Sequence, residues 1–239
     1  MKTKYSISAF FPAYNDEGTI ASMVIKTVSV LKSITNDYEV IVVDDCSPDN
    51  SGKIADELAK KYKEVKVIHH EKNRGYGGAL KSGFKAAKKD IIFYTDGDAQ
   101  YNVFEIKKLI SLMADDVDMV NGYKIKRNDP FHRVILGKLY HWGIKLMFGL
   151  KIRDVDCDFR LMRREIFDKI KLRSNSGLIC AEMMKKIQDA GFKIKEVGVS
   201  HYFRTYGKSQ FFNFKRISAV FIGLARLWWD LVVLKRKDA

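Results

Sequence analysis

Short apolar runs alternate with segments of helical periodicity along the first half of the chain. The runs are rich in β-branched and aromatic residues, which is typical of strands buried on both faces of a parallel sheet. The predicted strands are Ser6–Phe11, Tyr38–Val43, Val65–His69, Asp90–Thr95 and Val117–Asn121, and the predicted helices are Thr19–Ile34, Gly52–Tyr62, Ala79–Lys88 and Phe104–Met113. This alternation predicts an α/β fold with a mostly parallel central sheet flanked by helices on both faces.

Three of the predicted strands end in acidic and small polar residues. These stretches are Pro12–Glu17, Asp44–Ser47 and Asp96–Gln100. In open parallel sheets the ligand binds outside the carboxyl ends of the strands, so the three stretches are expected to face one crevice. Acids are a poor lining for a bare phosphate group. They suit recognition of a base and a ribose, together with a metal ion that carries the phosphates.

The stretch after the fourth strand, Asp96-Gly97-Asp98, is the strongest candidate for a metal site. Two carboxylates one residue apart can converge on a hard cation such as Mg²⁺ or Mn²⁺, and Gly97 allows the chain to turn tightly between them. A polar turn without a ligand would also give this tripeptide, because Asp and Gly are common in turns. The choice between the two interpretations therefore depends on the rest of the chain.

The chain of 239 residues contains 43 Lys and Arg against 29 Asp and Glu, which gives a formal net charge of +14. This charge is compatible with nucleic acid, an anionic membrane or a phosphorylated substrate, and also with a lysine-rich surface that binds nothing. The sequence contains no nucleic-acid recognition motif and no aromatic pair of the RRM type. We therefore expect no nucleic-acid partner, and a basic nucleic-acid-binding protein is only a distant alternative.

The three cysteines, Cys46, Cys157 and Cys180, are widely spaced and form no zinc-binding pattern. An odd number of isolated thiols is typical of a reduced, cytosolic protein. The N-terminal stretch MKTKYSISAFFPAYN leads directly into the first strand and lacks the apolar region and cleavage site of a signal peptide. The sequence therefore predicts a cytoplasmic location.

Four motifs occur in a fixed order: PAYNDE, VDDCSPDNSG, NRGYGGALKSGF and DGDAQ. In this order and spacing the chain resembles the family 2 glycosyltransferases of the GT-A fold, in particular the dolichyl-phosphate mannose synthases and related polyprenyl-phosphate sugar transferases. The resemblance covers about residues 6–210. It implies a GT-A, Rossmann-like catalytic domain over residues 1–212. It also implies an inverting, metal-dependent transfer from GDP-mannose or a UDP-sugar to polyprenyl or dolichyl phosphate.

The resemblance assigns the acidic crevice to the nucleotide-sugar and its metal ion. The implied donor-binding residues are Pro12, Tyr14, Asp16, Glu17, Val43, Asp45, Asp96, Gly97 and Asp98, and the implied ligands of Mg²⁺ or Mn²⁺ are Asp96, Asp98 and Gln100. The family usually has Glu where Asp16 stands, so Glu17 is a substitute for that shorter side chain. Asp44 and Asp45 have a structural alternative, since either carboxylate could cap the following helix.

The second half of the chain supplies positive charge for the acceptor. The resemblance implies catalytic roles for Asp98, Lys124, Arg133 and Arg204, with the three cations holding phosphate groups. The family commonly has Arg where Lys124 stands, and a lysine is a point charge without the planar fork that binds phosphate through two bonds. An alternative keeps the fold but transfers the sugar to a saccharide hydroxyl. That reaction needs a carboxylate base, for which Asp154, Asp156 and Asp158 are candidates.

The apolar stretch Ile217–Leu234 is about as long as the shortest membrane span. It contains Arg226 and Asp230, which are four apart and able to pair on a helix, and each costs about 2.5 to 3.5 kcal/mol at the centre of a bilayer. We therefore predict that residues 213–239 form an amphipathic helix at the membrane interface, with Trp228 and Trp229 at the level of the headgroups. Packing on the catalytic domain or on a second subunit, which would make a homo-oligomer, is the alternative.

Overall fold

The computed structural model describes residues 2–125, 141–206 and 214–236, with only the backbone for residues 214–220. Within these ranges seven strands form one sheet in the order β3-β2-β1-β4-β6-β5-β7. β6 is antiparallel to both of its neighbours, and the other strands run parallel to one another. The strands are β1 (Ile7–Ala13), β2 (Tyr38–Asp44), β3 (Val65–His69), β4 (Ile91–Thr95), β5 (Met119–Lys124), β6 (Phe159–Arg163) and β7 (Ile194–Val199).

Helices connect the strands of the first half, and further helices follow β5. They are α1 (Ile20–Ile34), α2 (Ser51–Lys61), α3 (Tyr76–Ala86), α4 (Ile106–Leu112), α5 (residues 141–148), α6 (Ile166–Lys169), α7 (Ile179–Asp189) and α8 (Phe214–Trp228). A 3-10 turn at Val103–Glu105 precedes α4, and a π-helical turn at Trp229–Val233 follows α8. The strands and helices predicted for the first half are confirmed, with their ends shifted by at most a few residues.

Each face of the sheet carries its own hydrophobic core. Phe11 and Val42 point to the core that is shared with α1, α2 and α4. Phe10 and Ile41, their neighbours along the same strands, point to the core that is shared with α3, α5 and α7. Successive side chains of a strand point to opposite faces, so strands without polar residues can fill two cores. The predicted α/β fold, with helices on both faces of a mostly parallel sheet, is therefore confirmed.

The C-terminal helix packs back onto the second core. Leu224 and Leu231 are buried there, and the Trp228 indole Nε1 donates a hydrogen bond of 2.8 Å to the carbonyl oxygen of Met147 in α5. The predicted pair of Arg226 and Asp230 is not formed. The chain leaves α-helical geometry at Trp229, and the Asp230 carboxylate pairs with Arg236 at 3.4 Å.

None of the helices in the described ranges combines the length and the apolar content that a bilayer crossing requires. The predicted domain boundary at residue 212 lies outside the described residues, as does Arg133. The division into domains therefore stays a prediction.

Candidate active site

The acidic turn after β4 is the most constrained part of the crevice. The Tyr76 hydroxyl donates a 2.9 Å hydrogen bond to Asp96 Oδ1. In Asp98, Oδ1 accepts the main-chain amide of Gln100 at 3.0 Å, and Oδ2 accepts Arg204 Nη2 at 2.6 Å. Both carboxylates are therefore held in fixed orientations by neighbouring donors, as the ligands of a metal ion should be.

The turn lies directly against the loop after β1. A Cβ atom at Gly97 would come within 3.2 Å of the carbonyl oxygen of Pro12 and 3.3 Å of Asp16 Oδ2. The same Asp16 oxygen accepts the main-chain amide of Tyr14 at 3.1 Å. Two of the stretches predicted to share a crevice, Pro12–Glu17 and Asp96–Gln100, are thus in contact, and a side chain at position 97 would press against both neighbours.

A third carboxylate, Asp158, belongs to this corner. Burial raises the pKa of Asp96 well above its ordinary range, and the charges of Asp158 and Asp98 raise it further. Burial also raises the pKa of Asp98, although the neighbouring Arg204 guanidinium opposes the shift. Three poorly solvated carboxylates repel one another, and a divalent cation relieves this repulsion. An all-oxygen set of this kind suits Mg²⁺ or Mn²⁺, so the residues present fit the predicted metal ion.

Asp158 is fixed from below by a buried arginine. Arg160 is fully buried in β6 and donates to the Asn121 side chain at 2.9 Å, to the Tyr94 hydroxyl and to the carbonyl oxygen of Val155. Its guanidinium lies 3.6 Å from Asp158 Oδ1, and the Tyr94 hydroxyl donates to the same oxygen at 3.2 Å. The floor of the site is therefore a closed network of polar groups beneath the acidic turn.

The titration of Asp16 is expected to make the stability of the metal-free protein depend on pH. Burial raises the pKa of Asp16 to about 6. A buried acid with a raised pKa binds its proton more tightly in the folded state, so stability falls as pH rises through this range. The penalty is complete above about pH 6, at roughly 3 kcal/mol for a shift of about two units.

Replacing Asp16 by asparagine removes this charge and keeps an oxygen for the Tyr14 amide. We expect Asp16→Asn to be more stable than the wild type at pH 7.5, and the difference to shrink towards zero near pH 4. Urea unfolding in the presence of a chelator measures both values. An asparagine variant that is less stable at pH 7.5 would contradict this account.

The end of β2 holds its two aspartates differently. Asp44 secures the turn, because Oδ1 accepts the Ser47 amide at 3.0 Å and Oδ2 lies 3.0 Å from His69 Nδ1. Asp44 therefore stabilises the turn, and it does not act as the helix cap that was predicted as an alternative. Asp45 receives the Arg74 amide at 2.7 Å and His70 Nδ1 at 2.6 Å, both on Oδ1. These contacts leave Oδ2 of Asp45 for a ligand.

Three other predicted donor-binding residues are placed as follows. Val43 is fully buried in the second core, so any contact of Val43 with a ligand has to come from its main chain. Tyr14 is partly exposed beside the acidic turn. Glu17 accepts the main-chain amide of Asn50 at 2.8 Å and the Tyr206 hydroxyl at 2.7 Å, so its carboxylate connects two other segments of the chain. Their contact with a nucleotide stays a prediction.

Residues 200–206, called the crossing segment below, run over the acidic turn. The Tyr202 amide donates to the carbonyl oxygen of Gln100 at 2.8 Å, and Gln100 Nε2 donates to the carbonyl oxygen of Tyr202 at 3.1 Å. Further along the crossing segment, Arg204 donates to Asp98 and Tyr206 donates to Glu17. The Gln100 side chain thus holds this segment, and its predicted role as a metal ligand is untested.

Lys124 is the last residue of β5. Its Nζ donates to the carbonyl oxygen of Asp156 at 2.7 Å, and its amide donates to Asp154 Oδ2 at 3.2 Å. Its charge also helps to keep the pKa of Asp98 from rising further. Arg204 thus contacts Asp98 directly and Lys124 acts on Asp98 through its charge, and the catalytic roles of both stay predictions.

A second group of ligating side chains lies next to Lys124. His141, Asp154 and Asp156 each offer one ligand atom, and these atoms lie within 4.8 Å of one another. This spacing also suits a metal ion. Any experiment on metal binding must therefore distinguish these side chains from Asp96 and Asp98.

Comparison with known sequences identifies the family of the chain. The family model described as "Glycosyl transferase family 2" matches residues 8–171. The glycosyltransferase AglD of Haloferax volcanii is 28% identical over 96% of this chain and 38% of its own length. The undecaprenyl-phosphate 4-deoxy-4-formamido-L-arabinose transferase of Proteus mirabilis is 30% identical over 90% of this chain and 65% of its own length. The chain thus spans less than two thirds of either relative.

A solved structure with the same architecture is glucosyl-3-phosphoglycerate synthase from Mycobacterium tuberculosis in complex with Mn²⁺, UDP and glucosyl-3-phosphoglycerate. It superposes with a TM-score of 0.70 at 17% sequence identity, covering 95% of this chain and 80% of that protein. At this identity the similarity concerns the fold alone. It confirms the predicted GT-A arrangement of a mostly parallel sheet flanked by helices.

Proposed function

The chain belongs to glycosyl transferase family 2, and on this basis we propose that it transfers a sugar from a nucleoside-diphosphate sugar to a polyprenyl phosphate with inversion. One observation carries the proposal: Arg204 donates to Asp98 in the acidic turn, where the charge of Lys124 also acts on Asp98. The acids suit a donor diphosphate with its metal ion, and the cations suit an anionic acceptor. The relatives named for undecaprenyl phosphate support the choice of a lipid phosphate.

Asp96 and Asp98 would hold Mg²⁺ or Mn²⁺, with Asp158 adding negative charge nearby. When bound, the cation supplies Lewis-acid stabilisation of the diphosphate leaving group. We assign Asp45 Oδ2 and Tyr14 to the base or the ribose of the donor. Whether the donor is GDP-mannose or a UDP-sugar depends on contacts that the residue types alone do not define.

The acceptor side needs positive charge more than it needs a base. A phosphate monoester is already ionised near neutral pH, so its oxygen can attack the anomeric carbon without prior loss of a proton. Attack from the face opposite the diphosphate forms the new C–O bond as the old one breaks, which inverts the configuration. Lys124 and Arg204 would orient the acceptor phosphate, and Arg133 stays a predicted third contact.

Two of the three candidate bases for a hydroxyl acceptor, Asp154 and Asp158, already accept hydrogen bonds from the protein. Asp154 accepts the amide of Lys124 on one oxygen and the amide of Asp156 on the other. Asp158 accepts the Tyr94 hydroxyl and lies beside buried Arg160. A base must accept a proton from the substrate, and these carboxylate oxygens already accept hydrogen bonds from the protein. The geometry thus favours the phosphate acceptor over the saccharide hydroxyl.

The direct test offers the purified chain several donors and two classes of acceptor in the presence of Mn²⁺. GDP-mannose, UDP-glucose and UDP-N-acetylglucosamine are each incubated with undecaprenyl phosphate, with dolichyl phosphate or with soluble saccharides. We expect labelled sugar in the lipid extract with at least one donor. Transfer to soluble saccharides alone would replace the proposal by the hydroxyl-acceptor reaction. Binding of RNA without any donor turnover would replace it by nucleic-acid binding.

The proposal includes peripheral contact with the cytoplasmic face of a membrane. α5 and the π-helical turn after α8 expose apolar side chains: Trp142 is 67% exposed, Leu146 86% and Trp229 53%. Lys145 Nζ lies 5.5 Å from the centre of the Trp142 ring, and Lys235 follows the C-terminal helix. Apolar side chains bordered by cations suit the interface of an anionic membrane.

Substituting Leu146 by glutamate tests this contact with little risk to the fold, because the side chain is 86% exposed. We expect Leu146→Glu to weaken binding to vesicles of anionic phospholipid about tenfold or more, since an inserted leucine contributes roughly 1.5 to 3 kcal/mol. The matched control is Ile25→Glu on α1. This helix packs on the face of the sheet opposite to the one that α5 covers. Equal vesicle binding by the two variants would contradict a contact through α5.

A further inference from the structure

Within the described ranges, Arg204 is the only cation that is partly exposed and hydrogen-bonds to the acidic turn. The Asp98 side chain is 5% exposed and that of Arg204 is 30% exposed, and they meet through one bond of 2.6 Å at Oδ2. The other oxygen, Oδ1, accepts the Gln100 amide from the same turn, which a bound cation need not disturb. Oδ2 is therefore the oxygen that Asp98 would offer to a metal ion.

A guanidinium and a divalent cation cannot share that oxygen at full strength. Two positive charges a few ångströms apart repel strongly where water is scarce. The other nearby cations have different partners. Lys124 donates to the carbonyl oxygen of Asp156, and Arg160 is locked in its buried network. A metal ion bound at Asp98 Oδ2 would therefore weaken the contact of Arg204 and favour its release.

The main chain around Arg204 is anchored on both sides. Tyr202 exchanges hydrogen bonds with Gln100, and the Tyr206 hydroxyl donates to Glu17. The Arg204 side chain can therefore change partner while its backbone stays at the site. A released guanidinium would remain within reach of the crevice, with its planar fork available for a phosphate group.

We propose that Arg204 occupies the metal-binding oxygen of Asp98 in the metal-free protein, and that metal binding releases it to bind the acceptor phosphate. This inference rests on the proposed function, because it takes Asp98 as a metal ligand. It predicts an order of binding in which the cation and the donor precede the acceptor. Linkage requires that the cation and the acceptor anion strengthen each other's binding by the same factor.

The test measures the affinity for Mn²⁺ alone, from the electron paramagnetic resonance signal of the free ion. Arg204→Met should bind Mn²⁺ about tenfold more tightly or better, because a hydrogen bond to a charged group contributes roughly 1.5 to 3 kcal/mol. Arg204→Gln, which is also uncharged, serves as a second variant if the methionine variant folds poorly. Thermal unfolding checks both variants.

The matched control is Lys124→Met. Both cations favour the ionised form of Asp98, but only Arg204 occupies its oxygen. If the effect were general electrostatics, both variants would bind Mn²⁺ more tightly to the same extent, and this result would overturn the proposal. A wild type that binds no Mn²⁺, even with GDP or UDP present, would instead overturn the metal site of the proposed function.

The second readout is the affinity for geranyl phosphate, a soluble prenyl phosphate, measured by calorimetry with and without Mn²⁺ and the nucleoside diphosphate. In the wild type we expect Mn²⁺ to tighten the binding of geranyl phosphate about tenfold, from the release of one charged group. In Arg204→Met this coupling should be lost. Equal coupling in both proteins would overturn the second half of the proposal, because Arg204 would not be the group that receives the anion.

Discussion

Replacing Asp98 by asparagine is expected to lower sugar transfer by about two to three orders of magnitude, the usual effect of removing one group that stabilises developing charge. Asparagine has the same shape, and its carbonyl oxygen can still accept the Gln100 amide. It lacks the negative charge that binds a divalent cation and that pairs with Arg204. The measurements are the initial rate of transfer and the binding of Mn²⁺.

The control for Asp98→Asn is Asp156→Asn. Asp156 belongs to the second group of ligating side chains, with His141 and Asp154. If the acidic turn holds the metal ion, Mn²⁺ binding is lost in Asp98→Asn and kept in Asp156→Asn. The reverse result would place the cation in the second group and remove Asp98 from the mechanism.

The first half of the fold could be predicted because its strands are short runs rich in apolar residues, and the helices between these runs define the parallel order. The edge strand β3 is partly exposed and contains Lys66, but it keeps enough apolar residues to be recognised. The strand β6 could not be found in this way. Its sequence, Phe159–Arg163, contains two arginines in five residues, and Arg160 is fully buried. A pattern based on hydrophobicity places arginine in solvent, and only the partners of Arg160 in the fold explain its burial.

The candidate site was predictable to the same extent. Asp96 and Asp98 follow a buried strand, so their position at the crevice follows from local sequence. Arg204 lies 106 residues away from Asp98, and its contact depends on how the crossing segment returns over the turn. The sequence suggests Asp158 only as a base for a hydroxyl acceptor, but in the structure its charge helps to raise the pKa of Asp96. Long-range contacts of this kind leave no periodic signal in a single sequence.

Gln100 has a contact that its motif could not predict. The resemblance implies that Gln100 is a metal ligand, and this role stays a prediction. Its amide nitrogen donates to the carbonyl oxygen of Tyr202, which lies 102 residues further along the chain. This bond connects the acidic turn to the crossing segment that carries Arg204.

The second large effect is expected on stability, from replacing Arg160 by leucine. Arg160 is fully buried, lies 3.6 Å from Asp158 and donates to the side chains of Asn121 and Tyr94. Removing one partner of a buried ion pair leaves the other charge uncompensated, which costs about 3 to 5 kcal/mol. For a chain of this size the midpoint of thermal unfolding should fall on the order of 10 °C. Differential scanning calorimetry in the presence of a chelator measures the change.

A double variant separates the lost charge pair from the lost packing. In Arg160→Leu with Asp158→Asn, the stranded carboxylate is gone, so part of the stability should return relative to Arg160→Leu alone. The interaction energy from the double-mutant cycle then reports the Asp158–Arg160 pair, since these residues are in contact. If Arg160→Leu were as stable as the wild type, the buried network would not be the support of the acidic turn. The carboxylate of Asp158 would then be held by Tyr94 and Cys180, which both donate to its Oδ1.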